Sequence, residues 1–159
     1  MRDVTFPVLG KAGTSKLVAH KEDMLLIDSV YSYDGRHMEA GALLDGDNPF
    51  CRDGRTPGYV AFELMAQAIA AFSFLAEYNG NPEPDIGFIL KVSSMKIFRS
   101  FFSTDERLSI SIDISCALDN GIFKFDGSVK AGEELAAEAS LLAMSVPDPV
   151  AVLKGINYE

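Results

Sequence analysis

Several residue types that often carry chemistry are scarce in this chain of 159 residues. It has no tryptophan, two histidines and two cysteines. Cys51 and Cys116 form no Cys-x-x-Cys pair and lie near no pair of histidines. The sequence therefore predicts neither a disulfide framework nor a metal site. A phosphate-binding glycine loop is also absent, and we expect a protein that works without a cofactor.

Basic residues are also few. Lysine and arginine number 14 against 23 aspartates and glutamates, which gives a formal net charge of −9. This acidity excludes nucleic acid as a general partner and disfavours a membrane surface. The positive charge is nevertheless gathered locally at Arg52, Arg55, Lys91, Lys96 and Arg99. We expect Arg52, Arg55 and Lys91 to dock an acidic carrier protein.

The sequence lacks the apolar N-terminal run of a signal peptide. Its most apolar segment, residues 59–75, contains Glu63 and Gln67, which makes it too polar and slightly short for a membrane span and favours a buried core helix. We therefore predict a soluble, cytoplasmic protein. Its length and its hydrophobic share of 48% fit one domain over residues 1–159, with residues 1–14 as a candidate flexible segment.

The order of strand and helix patterns indicates the fold. Residues 25–33 and 37–44 predict a hairpin, and a turn-rich loop then leads to a helix over residues 59–78 with Thr56 as its N-cap. Further strands are predicted at residues 86–102, 108–118, 122–130 and 135–146, although the alanine-rich last segment could also form a helix. An antiparallel sheet wrapped around one apolar helix satisfies this order. It is the α+β architecture called the hotdog fold.

Glu63 is the most informative residue, because it lies one turn inside a helix that is apolar nearly all round. Gln67 follows four residues later and projects from the same face. A buried carboxylate must be paired, hydrogen-bonded or protonated, since uncompensated burial costs several kcal/mol. Desolvation would raise its pKa and suit a general acid. The residues alone also allow Glu63 and Gln67 to satisfy backbone groups or to face a subunit interface.

Three motifs in order resemble the 3-hydroxyacyl-(acyl carrier protein) dehydratases of fatty-acid synthesis. They are the helix motif at residues 57–68, a histidine-led segment at residues 20–28 that ends Leu-Leu-Ile-Asp, and Gly-Phe-Ile-Leu at residues 87–90. Together they span most of the chain from Leu17 to about Phe101. The resemblance implies a dimer that acts on thioesters of acyl carrier protein or coenzyme A.

In that family a loop histidine removes the α-proton of the 3-hydroxyacyl thioester, and a helix carboxylate of the other subunit protonates the departing hydroxyl. The resemblance assigns the acid to Glu63 and polarisation of the thioester carbonyl to the N–H of Gly58. The family's histidine is missing, however, because the loop at residues 48–58 is shorter and contains none. This short loop most resembles a divergent subgroup associated with aryl polyene biosynthesis.

Two hypotheses address the missing base. In the first, a histidine-bearing homologue pairs with this chain, and Glu63 completes the partner's site in a heterodimer. In the second, His20, Asp53 or Cys51 replaces the base in a homodimer.

Two further hypotheses belong to other classes of protein. A thioester hydrolase could use Glu63 as general base or nucleophile, with Gln67 or Asn48 positioning water. Alternatively, the chain could be an acyl-binding partner subunit without chemistry of its own.

Overall fold

The computed structural model describes residues 4–76, 86–118 and 121–146, together with Lys154. These residues form nine strands, two α-helices and two short 3-10 turns. In chain order they are β1 (Val8–Leu9), α1 (Lys11–Thr14), a 3-10 turn (Glu22–Met24), β2 (Ser29–Tyr33), β3 (His37–Leu43), β4 (Arg55–Pro57), a 3-10 turn (Gly58–Val60), α2 (Ala61–Ala76), β5 (Ile86–Ile97), β6 (Phe101–Ser103), β7 (Arg107–Ala117), β8 (Ile122–Ala131) and β9 (Glu134–Val146).

One antiparallel sheet of seven strands curls around α2 in the order β1-β2-β3-β7-β8-β9-β5. The Phe72 ring of the helix meets Tyr33 and Phe125 edge-on, with centroids 5.0 and 5.3 Å away. A Cβ on Gly127 of β8 would lie 2.8 Å from Met65 Sδ, so glycine lets the helix sit close to the sheet. The predicted hotdog architecture is confirmed.

The central helix begins differently from the prediction. Thr56 belongs to β4, where it pairs with Phe102, and its hydroxyl accepts a hydrogen bond from Asn48. It is therefore not the N-cap. By length and composition Gly58–Ala76 could cross a membrane. The prediction that this segment is too polar and too short for a span was therefore wrong. Its burial beneath the sheet identifies it as a core helix.

Most strand predictions hold, with shifted ends. The hairpin is β2 and β3, but its first strand starts at Ser29, because the preceding residues bond to the helix. The predicted strand at residues 86–102 divides, since β5 ends at Ile97 and β6 pairs with β4. The register of β5 against β9 shifts between Val92 and Ser94. Residues 134–146 form β9, so the helical alternative is wrong.

Residues 8–14 contact the edge of the sheet. Val8 pairs with Val30, which adds β1 to the sheet edge. Thr14 in α1 is fully buried and its hydroxyl donates to the carbonyl of Ile27 at 3.1 Å. The flexibility of residues 1–14 stays a prediction.

Candidate active site

Gln67 ties the extended segment before β2 to the central helix. Its side chain is completely buried, and its Oε1 accepts hydrogen bonds from the backbone N–H groups of Leu26 and Ile27 at 2.8 and 3.3 Å. Its Nε2 donates to the carbonyl of Met24 at 2.6 Å. These bonds satisfy backbone groups that would otherwise be buried without partners. They also bring the histidine-led segment of residues 20–28 across one face of α2.

Glu63 lies one turn earlier on that face and receives two contacts on a single oxygen. Gln67 Nε2 donates to Glu63 Oε1 at 2.8 Å, and His20 Nε2 lies 3.1 Å from the same atom. The side chain of Glu63 is 25% exposed. Within the described part of the chain, its Oε2 has no hydrogen-bond partner. The site therefore presents one anchored carboxylate oxygen and one free one.

The pKa of Glu63 is lower than its ordinary value. Burial is the largest single influence and raises the pKa, but the hydrogen bonds from His20 and Gln67, with the attraction of His20, together outweigh it. Our prediction that burial would give a raised pKa was wrong, because donors aimed at the charged form stabilise it. Glu63 therefore rests as a carboxylate at neutral pH.

His20 is brought to Glu63, but neither of its nitrogens is available to a substrate. Its Nε2 contacts Glu63, while its Nδ1 is buried and has no hydrogen-bond partner. A general base must be within hydrogen-bond reach of the proton that it abstracts. This arrangement disfavours His20 as the replacement base.

Gly58 is held where the helix begins. Its N–H donates to the carbonyl of Ser100 at 2.8 Å, and a Cβ at this position would lie 1.9 Å from the carbonyl oxygen of Arg99. Glycine is therefore required for a close backbone approach. The N–H is already engaged, so the role implied by the resemblance, polarising a thioester carbonyl, does not fit this arrangement.

In the loop before the helix, the polar side chain of Asn48 forms hydrogen bonds with neighbouring residues. Asn48 is buried, donates to the carbonyl of Asp45 and to the hydroxyl of Thr56, and accepts from the N–H of Phe50. It therefore holds the loop and is not free to position water. Asp53 is exposed in a left-handed conformation, with φ of 51°.

Cys51 in the same loop is half-buried. Among the described residues, no hydrogen bond or ion pair joins the side chain of Cys51 or Asp53 to Glu63.

The basic residues are not equivalent. Arg55 lies over the ring of Phe101 at 4.4 Å and Arg52 donates to carbonyls of its own loop, yet both are exposed, as is Lys91 on β5. Lys96 is also exposed, 3.6 Å from Glu138.

Arg99 differs, because both of its terminal nitrogens bind the carboxylate of Glu106, at 2.7 and 3.1 Å. That pair raises the pKa of Arg99 and lowers that of Glu106. Arg99 therefore stabilises the turn beside Gly58 and is not part of a free basic patch.

A second histidine cluster lies on the opposite face of the sheet. His37 Nδ1 is 2.8 Å from Asp113 and Nε2 is 2.8 Å from Glu39, which also accepts from the hydroxyl of Ser111 at 2.7 Å. The hydrogen bond with Asp113 is the main cause of the raised pKa of His37. Sequence reasoning missed this cluster, and only the pairing of β3 with β7 brings its members together. In the described part of the chain, no group of three or more candidate ligands could hold a metal.

Comparison with protein families identifies the family of this chain. A model of the ApeP-like family, described as ApeP dehydratase, matches residues 13–154. The chain belongs to the ApeP-like dehydratase family. The match covers the helix with Glu63 and the segment with His20, so both parts of the site lie within the family's own domain.

Relatives of this ApeP-like chain include 3-hydroxyacyl-(acyl carrier protein) dehydratases named FabZ. The protein of Variovorax paradoxus is 28% identical over 133 residues, which are 80% of this chain and 87% of the relative. The protein of Anaeromyxobacter is 23% identical over 144 residues, 87% of this chain and 91% of the relative. The family and these relatives support a dehydratase in fatty-acid or polyene synthesis.

Solved structures show the same fold. The dehydratase heterocomplex ApeI:P from Xenorhabdus doucetiae matches with a TM-score of 0.80 and 21% identity, over 91% of this chain and 97% of the other. A hypothetical thioesterase from Streptococcus pneumoniae, crystallised with coenzyme A, matches with a TM-score of 0.57 and 13% identity, over 74% and 84% of the two chains. Both likenesses establish the hotdog fold.

Proposed function

We propose that this ApeP-like chain is the carboxylate-bearing subunit of a 3-hydroxyacyl-(acyl carrier protein) dehydratase, and that a partner subunit supplies the catalytic histidine. Two observations at one site carry the proposal. The Oε2 atom of Glu63 is free, and both nitrogens of the neighbouring His20 are unavailable to a substrate. The acid is present on a rigid helix, whereas the described residues offer no histidine as base. We place this protein in the cytoplasm, where such carrier-bound intermediates would be made.

The reaction can be written with its atoms balanced. The partner's histidine takes the proton from C2 of the 3-hydroxyacyl thioester, and the electrons of that bond form the C2–C3 double bond. The C3–O bond breaks, and the departing hydroxyl takes a proton from Glu63 to leave as water. Because Glu63 rests as a carboxylate, it must take up a proton before each turnover. Dehydration needs Glu63 protonated and the partner's histidine neutral in the same complex. We therefore expect a bell-shaped dependence of kcat on pH, which falls on the acid side as well as on the alkaline side.

The edge of the sheet at β5 supports assembly with another subunit. Among the described strands, β5 pairs with β9 alone and so has one open side. Leu90, Val92, Ile97 and Phe98 are each 44–54% exposed on or next to this edge. Open, apolar strand edges invite pairing with a further strand. A heterodimer through this edge agrees with the similarity to ApeI:P, which is itself a dehydratase heterocomplex.

Arg52, Arg55 and Lys91 are the proposed contacts of the carrier protein, because they are exposed basic groups on an acidic chain. Replacing Arg52 and Lys91 by alanine should raise the KM for the acyl-carrier protein about tenfold and leave kcat unchanged, since each exposed ion pair contributes up to about 1 kcal/mol. Steady-state kinetics on the heterodimer at two salt concentrations measure this. Lys130→Ala, an exposed lysine on β8, is the matched control. An unchanged KM in the double variant would remove these residues from the docking surface.

Mass spectrometry of a 3-hydroxyacyl-carrier protein tests the proposed function. Four samples are needed: this chain alone, a histidine-bearing dehydratase homologue alone, this chain mixed with that homologue, and this chain mixed with the homologue whose histidine is replaced by alanine. We expect the mixture with the intact homologue to lose water faster than the homologue alone, and we expect no loss from this chain alone or with the histidine variant. Loss of water with this chain alone would place the base within it and contradict the heterodimer. The short loop at residues 48–58 resembles that of a subgroup associated with aryl polyene biosynthesis, which supports an acyl intermediate of polyene synthesis as the substrate.

One observation favours a second function, thioester hydrolysis. The lowered pKa of Glu63 suits a carboxylate that activates water as a general base, and it needs no histidine in the loop. The fold is also shared with thioesterases. The same mass spectra distinguish the two reactions, because hydrolysis releases the free 3-hydroxy acid and leaves the carrier protein without its acyl group.

A further inference from the structure

His20 and Gln67 converge on one oxygen of Glu63. We propose that His20 is a positioning residue that holds Glu63 by Oε1, so that Oε2 is the oxygen that exchanges a proton with the substrate. The inference rests on the proposed function for the identity of the substrate, but its structural part concerns the isolated chain. It replaces the hypothesis that His20 is itself the catalytic base.

Gln67 cannot rotate away from this arrangement. Its Oε1 accepts from Leu26 and Ile27, so its Nε2 must face the other way, toward Met24 and Glu63. One donor from the same helix would still leave the carboxylate free to swing about its own side-chain torsions. The second donor, His20, comes from a different segment of chain. Two charge-assisted hydrogen bonds from two directions fix the carboxylate.

The tautomer of His20 follows from its surroundings. Glu63 is a carboxylate, so His20 Nε2 carries the hydrogen that it donates. Nδ1 is buried and has no partner. His20 therefore carries a hydrogen on Nε2, the nitrogen that faces Glu63.

This contact should be visible in the titration of Glu63. From the segment of residues 18–21 the group facing Glu63 is His20, and from α2 it is the uncharged Gln67. No other titratable group of the described residues acts on this carboxyl. Removing the His20 donor should therefore raise the pKa of Glu63, because burial would then be opposed by Gln67 alone.

Carbon-13 NMR of the purified chain, labelled at its glutamate carboxyls, tests this directly. Glu63 is assigned from the signal that Glu63→Gln removes. We expect His20→Leu to move the titration of Glu63 to higher pH. His20→Gln, whose amide nitrogen can reach the same oxygen, should bring the titration most of the way back to that of the unaltered chain. His37→Leu is the matched control, since that histidine lies on the other face of the sheet and should leave Glu63 unchanged. An unchanged titration in folded His20→Leu would overturn the proposal.

A second measurement covers the case in which His20→Leu does not fold. Nitrogen-15 NMR of the imidazole rings in the unaltered chain reports which nitrogen carries the hydrogen, and His37→Asn identifies the two signals. Hydrogen on Nε2 of His20 at neutral pH supports the proposal. Hydrogen on Nδ1 alone would overturn it, because Nε2 could not then donate to Glu63.

Turnover by the heterodimer separates positioning from a merely structural role. In His20→Leu we expect the acid limb of the kcat profile to move to higher pH, because that limb follows the raised pKa of Glu63. We also expect the highest kcat of the profile to fall several-fold through lost orientation. KM should stay the same. An inactive unaltered heterodimer with the NMR shift intact would refute the proposed function alone, whereas an unchanged pH profile in an active His20→Leu heterodimer would refute the positioning role.

Discussion

The two histidines of this chain sit in contrasting clusters. His20 lies against the central helix and makes one polar contact, with Glu63, while its other nitrogen is buried and unpartnered. His37 lies on the outer face of the sheet, and Asp113 and Glu39 occupy both of its nitrogens. The outer cluster has more charged groups and shorter contacts. Both nitrogens of its imidazole are nevertheless paired, so this cluster offers no free imidazole nitrogen to a substrate.

The comparison indicates that a candidate site is recognised by a polar atom that is left without a hydrogen-bond partner. In the inner cluster, Gln67 and His20 share one oxygen of Glu63, and the other oxygen remains available beside an apolar helix. The enclosure also matters, since fixed dipoles act more strongly where water is excluded. Variants that match residue for residue across the two clusters can therefore test this difference.

The largest expected difference concerns the two glutamates. Glu63→Gln should lower the dehydration rate of the heterodimer by about 10²–10⁴, the usual contribution of a general acid. Glu39→Gln should leave the rate within about twofold, because the outer cluster lies on the opposite face of the sheet. Rates of water loss under saturating substrate measure both. An equal loss of dehydration rate in the two variants would contradict a catalytic role that belongs to the inner cluster alone.

A smaller difference is expected in stability. Gln67→Leu removes the partners of two buried N–H groups and one carbonyl, which should lower the free energy of unfolding by about 2–4 kcal/mol. Ser111→Ala removes the corresponding donor to Glu39 in the outer cluster and should cost about 0.5 kcal/mol or less, because that site is open to water. Urea denaturation monitored by circular dichroism compares them. A cost for Ser111→Ala as large as that for Gln67→Leu would mean that the outer cluster is equally structural.

The smallest effects should appear in the dependence of stability on pH, and they should have opposite directions. The pKa of Glu63 is lowered on folding, so its stabilising effect is present above its unfolded value of about 4.5 and is lost as the pH falls. The pKa of His37 is raised from 6.5, so its stabilising effect is present below that value and is lost as the pH rises through the raised one. Melting temperatures across pH 3–9 (about 0.5 unit apart) measure both. Glu63→Gln should flatten the acid side, and His37→Asn the neutral-to-alkaline side.

The sequence predicted the fold well because the fold depends on local periodicity. The alternation in β7 and the unbroken apolar helix were visible without a structure, and so was the turn between β2 and β3. The errors fell where tertiary contacts override local preference. Thr56 was predicted to cap the helix but lies in β4. The segment before Ser29 was predicted to be a strand, but its backbone bonds to Gln67.

The site was only partly predictable from the sequence. The position of Glu63 and its nearness to Gln67 followed from helical spacing. The approach of His20 from 43 residues away in the chain (Glu63 minus His20) could not follow from spacing. As a result, the direction of the pKa shift of Glu63 was predicted wrongly, because burial was known and the second donor was not. The hydrogen bond from the Gly58 N–H also depends on a distant residue, Ser100, between β5 and β6.

A cross-complemented heterodimer tests the central claim most directly, namely that Glu63 serves the histidine of another subunit. The partner keeps its histidine but has its own helix carboxylate replaced by an amide, so that Glu63 is the acid available to that histidine. We predict that this heterodimer still converts the 3-hydroxyacyl-carrier protein with loss of water, and that adding Glu63→Gln abolishes the reaction. Undiminished dehydration after Glu63→Gln would contradict the account.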